Sequence, residues 1–311
     1  MNSLACKQPE PLLKTGHHAA RGAGKMVSKE IWPNFFIVGA ARAGTTSLYQ
    51  YLRRVPGIYM SPLKEPRYFC ADEEIELSAP APIRSQRKYL RLFEDAKNET
   101  VVGEASPQYL CDPDAPRLIH EAVPDARILM SLRDPVERTF SHYLLHRRMG
   151  VQSLPAHEAL RIDFYLREGC YARPVQRYRE LFGSERVKIL IFEEFIHDAR
   201  KSVNDVLAFL GIDAELPDSV GEIHNAFAKP RGLLTALIYQ NNSLRAAARA
   251  LFSDRLRRSA RERILLKKTE KPALPDETRG FLQEMYRDDV LNLEQILGRP
   301  LPWFHRINSS A

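Results

Sequence analysis

The chain has 311 residues, 44% of them hydrophobic, enough for one substantial core and too few for a long independent second domain. A formal net charge of +7 and a pI near 9.2 fit partners that carry negative charge, whether nucleic acid, an acidic nucleotide or a polysaccharide. The longest apolar stretches are far too short to cross a bilayer and nothing near Met1 reads as a signal region, so the expectation is a cytoplasmic protein without a transmembrane segment.

Residues 1–30 are polar and small with no helical or strand period, and read as a disordered leader. A single domain is expected over 31–305. Within it, short β-branched runs at 35–38, 57–60, 100–103, 127–132 and 187–192 read as strands. They alternate with helical stretches at 46–53, 115–123, 135–148, 175–182 and 200–210. Such alternation predicts an α/β fold of three layers with a central parallel sheet covered on both sides. From about residue 233 the pattern becomes helical. Over 245–268 nine Lys or Arg residues face only Asp254 and Glu262, which reads as the solvated side of two surface helices or as a docking face for an acidic substrate or membrane. A last helix is expected to begin at Pro275 and end near Leu297, before Gly298 and Pro300. Cys6, Cys70, Cys111 and Cys170 lie far apart with no C-x-x-C pair, which argues against a zinc site or disulfide framework and fits a reducing compartment.

In open parallel sheets ligands sit beyond the carboxyl ends of the strands, so the residues after each strand carry the chemistry. The first strand runs into G-A-A-R-A-G-T-T, from Gly39 to Thr46. A glycine-punctuated turn opening a helix makes an anion cradle from free backbone N–H groups and the positive end of the helix dipole. Its spacing nearly matches G-x-x-x-x-G-K-[ST], but Thr45 stands where a nucleoside-triphosphate loop has its lysine, and Arg42 lies inside the turn. That departure points to a ligand with a shorter phosphate chain.

After the fourth strand come Arg133, Asp134, Pro135 and Glu137, which fit a strand end followed by a capping box, with Ser141 two helical turns on. A planar guanidinium fixed there suits a second anionic group, or else a structural salt bridge. After the second strand, S-P-L-K-E-P-R-Y-F places Glu65 beside Lys64 and Arg67, with Tyr68 and Phe69 following. A carboxylate there can take a proton from a hydroxyl or amine if its surroundings suit, and otherwise is a surface loop residue. The third strand ends in G-E-A-S-P-Q-Y-L, where Glu104 and Ser106 either bind substrate or organise the loop before Pro107. Lys229, Arg231 and Gly232 are expected in a short turn where backbone and cation together clamp a phosphate, or else in a basic surface loop.

These segments together, from about Phe35 to Gly232, resemble the sulfotransferases that use 3′-phosphoadenosine 5′-phosphosulfate, in particular the heparan sulfate branch and its bacterial relatives. The resemblance implies that Arg42, Ala43, Gly44, Thr45 and Thr46 hold the 5′-phosphosulfate, with Arg42 in place of the usual lysine. It implies further that Arg133 and Ser141, eight positions apart, bind the 3′-phosphate, that Lys229, Arg231 and Gly232 contribute to the same nucleotide, and that Glu65 is the general base. Glu65 and Arg42 are then the catalytic pair, with no metal required. Ala105 stands where the heparan enzymes carry lysine, so a small-molecule acceptor is as compatible as a glycan, and nucleic acid is not expected as a partner. Two rivals are open: a P-loop kinase or NTPase using the acidic strand at 189–194 for magnesium, and a basic module that binds polyanions through 245–268.

Overall fold

In the strand Phe35–Gly39 (β1), alternate side chains go to opposite sides of the sheet and meet two separate apolar layers. The computed structural model describes residues 30–70, 81–216, 220, 228–230, 266–268 and 272–304. Ile58–Met60 (β2), Val101–Ala105 (β3), Arg127–Leu132 (β4) and Val187–Ile191 (β5) join β1 in a five-stranded sheet of order β2-β3-β1-β4-β5. Every pairing is parallel. The predicted α/β class and strand order of events along the chain are therefore found.

On one side, Phe35, Ile37, Leu129 and Leu190 pack with Leu48 and Leu52 of α1 (Thr45–Leu52) and with Val203, Val206 and Leu210 of the helix Ala199–Leu210. On the other, Phe36, Val38, Ile128 and Met130 pack with Ile119 of Ala115–Ala122, Phe140 of Pro135–Met149 and Val175 of Ala172–Phe182. Leu282 and Leu293 of the long last helix, Asp276–Leu297, close that layer. Burying both faces explains why the strands read as near-continuous apolar runs.

Short helices at Gln86–Leu90, Ala156–Ala159, Asp163–Arg167 and Phe192–His197 were not expected from the periodicity, being too brief to show one. Two expectations need correction. Residues 266–268, placed by the sequence in a basic helix, form a strand that pairs antiparallel with Ala228–Pro230, because the ladder between them overrides helical preference. Cys170 is disulfide-bonded, whereas Cys70 and Cys111 are free thiols, since spacing along a chain does not show which cysteines fold together. The partner of Cys170 lies outside the described residues, as do the leader over 1–29 and the region at 231–265. No described helix is long and apolar enough to cross a membrane.

Candidate functional site

Because β1 is flanked by β3 on one side and β4 on the other, the chain changes its winding direction there, and the carboxyl end of β1 is the topological switch point. The turn that follows is built for close approach. Arg42 and Gly44 both have left-handed backbones, with φ of 69° and 81°. A Cβ on Gly44 would lie 3.0 Å from the Phe192 ring, and one on Gly39 would lie 2.5 Å from Leu110 Cβ. The turn is tied to β4 through Ala40 N–H donating to Ser131 O at 2.8 Å and Ser131 Oγ donating to Ala43 O at 2.6 Å.

α1 starts at Thr45 with no side-chain cap and no acidic residue in its first turn. Its first helical amide bond is Leu48 N–H to Gly44 O at 3.1 Å, so the amides of Thr45, Thr46 and Ser47 have no acceptor within the helix. Uncapped donors and an unopposed dipole end favour an anion.

The fourth strand brings its arginine to the same place. Arg133 Nη1 donates to Arg42 O at 3.2 Å, and its guanidinium lies 4.7 Å from the centre of the Phe192 ring. Arg133 Nε is buried and has no hydrogen-bond partner among the described residues, a donor left for a ligand. One helix face beyond, Ser141 Oγ accepts from Arg42 Nε at 3.2 Å. The structure thus joins Arg42, Ala43, Gly44, Arg133 and Ser141 in one cluster, with Thr45 and Thr46 opening the adjacent helix.

Asp134 caps Pro135–Met149 as expected, accepting from the amides of Val136 at 2.8 Å and Glu137 at 3.3 Å. The reciprocal half of the capping box is replaced: Asp134 N–H goes to Glu193 Oε1 at 3.2 Å, and Glu137 reaches Arg279 at 3.0 Å. Burial pushes the Asp134 carboxyl up to about 6 against the pull of those amides. Glu193 also accepts from Trp303 Nε1 at 3.0 Å, while Glu194 pairs with Arg299 at 2.6 Å. The carboxylates offered for magnesium at 189–194 are therefore engaged in bracing this strand end and the C-terminal segment.

The loop after β2 is pinned to β3 by Glu65 N–H donating to Ala105 O at 2.9 Å. Glu65 and Arg67 are left-handed, at φ 65° and 51°. Glu65 Oε1 pairs with Lys64 Nζ, and Oε2 accepts from Gln108 Nε2 at 3.1 Å. Tyr68 stacks on Tyr89 with ring centres 4.3 Å apart, and Phe69 packs edge-on to Phe36 at 5.8 Å, so the two aromatics anchor the loop to the core. Glu104 and Ser106 are fully buried and bonded to each other at 2.7 Å, which selects loop organisation over substrate contact for both.

Lys229 lies in the strand Ala228–Pro230, its backbone opposite Lys267, and not in a turn. Arg231 and Gly232 lie outside the described residues. The contacts of Gln108, Trp303 and Glu193 with these segments carried no signal in the sequence, since each partner is remote along the chain.

Comparison with known proteins follows the same division. A sequence model of the sulfotransferase family matches residues 83–216, which include Arg133 and Ser141. The crystal structure of a sulfotransferase from Alicyclobacillus acidocaldarius superposes with a TM-score of 0.64 at 30% identity, covering 87% of this chain and 98% of that one. Among curated relatives, the mouse bifunctional heparan sulfate N-deacetylase/N-sulfotransferase 4 is 26% identical over 88% of this chain and 32% of its own length. Human carbohydrate sulfotransferase 15 is 25% identical over 63% of this chain and 46% of its own length. The chain thus spans less than half the length of these two relatives. Fold, cradle and matches together make it a member of the sulfotransferase family.

Proposed function

We propose that this sulfotransferase moves a sulfuryl group from 3′-phosphoadenosine 5′-phosphosulfate to a hydroxyl or amine of its acceptor, with Glu65 as the base. The observation that carries the reading is the junction of Arg42 with both Ser141 and Arg133, which gathers two cations, a hydroxyl and uncapped amides at the switch point. A donor with anionic groups at two positions fits these residues, because the buried Arg133 Nε lacks a partner among the described residues and the helix start has no acidic side chain in its first turn.

The donor supplies the sulfuryl group, whose bond to the 5′-phosphate oxygen breaks as a bond from sulfur to the acceptor oxygen or nitrogen forms. Arg42 and the amides of Gly44, Thr45 and Thr46 stabilise the charge that grows on the phosphate side, the type of preorganised donor set that commonly contributes about 3 kcal/mol or more per group. Arg133 and Ser141 grip the second phosphate and fix the register of the nucleotide. Glu65, steered by Gln108 on one oxygen and Lys64 on the other, accepts the acceptor's proton.

The carbohydrate and heparan names of the curated relatives favour a glycan acceptor, and Ala105 in place of the heparan enzymes' lysine favours a different one; both fall within the hydroxyl or amine class. A cytoplasmic setting is part of the same proposal and requires the Cys170 disulfide to persist against reducing thiols. Incubation of the purified chain with labelled donor and a cell extract should yield one dominant sulfated product. Tight binding of adenosine 3′,5′-bisphosphate without added metal supports the reading, and magnesium-dependent ATP hydrolysis at enzymatic rates overturns it.

A further inference from the structure

Glu104 has no exposed surface, yet both of its carboxylate oxygens accept hydrogen bonds. Oε1 accepts from the hydroxyls of Tyr89 and Tyr109, each at 2.8 Å, and Oε2 accepts from Ser106 Oγ at 2.7 Å. Two of these hydroxyls have a second partner in the Glu65 loop. Ser106 Oγ accepts from the amide of Arg67 at 3.1 Å, and the Tyr109 hydroxyl accepts from the amide of Phe69 at 3.3 Å. The Tyr89 hydroxyl makes the same bond to Glu104, but the loop meets its ring, through the stacked Tyr68 and the edge-on Phe69, and both ring contacts survive loss of the hydroxyl.

A carboxylate that draws each hydroxyl hydrogen toward itself leaves the oxygen lone pairs facing the loop amides. That orientation fixes the chain on both sides of Arg67, in a loop where two non-glycine residues hold left-handed backbones. Strained backbone of this kind persists only where its surroundings over-determine it. Taking Glu65 as the base, as proposed above, we infer that Glu104 is a positioning residue for Glu65, acting through Ser106 and Tyr109 on the amides of Arg67 and Phe69.

Burial pushes the Glu104 carboxyl up to about 7, the three hydroxyls pulling it back down and Glu65 adding a small push; Cys70 also faces it. A buried acid of this type is costly where an apolar side chain would pack, which fits retention for a task.

The test compares three single substitutions in the full chain. Ser106→Ala removes the relay to Arg67, Tyr109→Phe removes the relay to Phe69, and Tyr89→Phe deletes an equal bond to Glu104 that reaches no loop amide. In the first two, exchange of the 67–69 amides with deuterium should accelerate about tenfold or more. Their kcat should fall by about tenfold while the donor KM stays within about twofold. Tyr89→Phe should leave exchange and kcat within about twofold of wild type. Equal effects from all three, or unchanged exchange in the relay variants, overturn the inference while leaving Glu65 untouched. Wild-type turnover in Glu65→Gln instead overturns the base reading, and the catalytic half of the inference with it, whatever the exchange rates.

Discussion

Arg42 Nε donates to Ser141 Oγ at 3.2 Å across 99 positions of sequence, joining the turn after β1 to a helix that begins beyond β4. The same arginine offers its backbone carbonyl to Arg133 Nη1 at 3.2 Å. One residue therefore connects the two ends of the cluster, and loss of either neighbour should be felt by both.

Arg133→Ala should weaken binding of adenosine 3′,5′-bisphosphate by about 10- to 100-fold, the range expected for a charge-assisted hydrogen bond. Arg133→Lys should recover only part of that, because a point charge does not reproduce the planar fork. Isothermal calorimetry checks both, and undiminished heat from the alanine variant would remove Arg133 from the donor site.

Glu65→Gln should bind the desulfated nucleotide within about twofold of wild type and lose about 100-fold or more in turnover. Single-turnover kinetics with the identified acceptor separate the two effects.

Gly44→Ala should destabilise the fold by about 1–3 kcal/mol and impair donor binding. Its backbone sits at φ 81° and the new methyl would meet the Phe192 ring at 3.0 Å, the same ring that supports the Arg133 guanidinium. Thermal unfolding with and without the nucleotide measures both losses.

Stability should fall as pH rises through the range in which the buried Glu104 ionises. Its folded value is raised from 4.5 to about 7, so the folded state holds a proton that the unfolded chain releases earlier. The contribution is complete below about 4.5 and gone above about 7. The difference in Tm between wild type and Glu104→Gln should therefore change across that window and level off above it. A difference constant from pH 4.5 to 8 would contradict the raised value.

Asp289→Ala should cost about 1–2 kcal/mol, the range of a lost helix cap. Asp289 Oδ2 accepts from the Tyr171 amide at 2.6 Å and Oδ1 from the Ala172 amide at 3.2 Å, closing a helix whose own first residues supply no cap. Urea unfolding measures the loss.

Much of this architecture was legible because it is local. The strands announce themselves as apolar runs, and Asp134 followed by Pro135 marks a helix start that the structure reproduces. Gly39, Arg42 and Gly44 mark the cradle for the same reason, since a turn's conformation is written in adjacent residues. What could not be read was the choice among partners for each polar group. Asp134 N–H finds Glu193, 59 positions away, and not the nearby Glu137. Glu104 and Ser106 offered two roles until their complete burial decided between them. Lys229 looked like part of a turn because its strand partner, Lys267, lies across a long intervening segment.

The Tyr171 hydroxyl donates to the backbone carbonyl of Arg133 at 3.0 Å, and Asp289 holds the Tyr171 amide in turn. Trp303, through Glu193, steadies the neighbouring Asp134. The last strand of the sheet ends at Ile191, so a ribosome extrudes all five strands well before Asp289 and Trp303. The full bracing of Arg133, the arginine proposed to grip the nucleotide, is thus completed only at the close of synthesis, when the final helix docks.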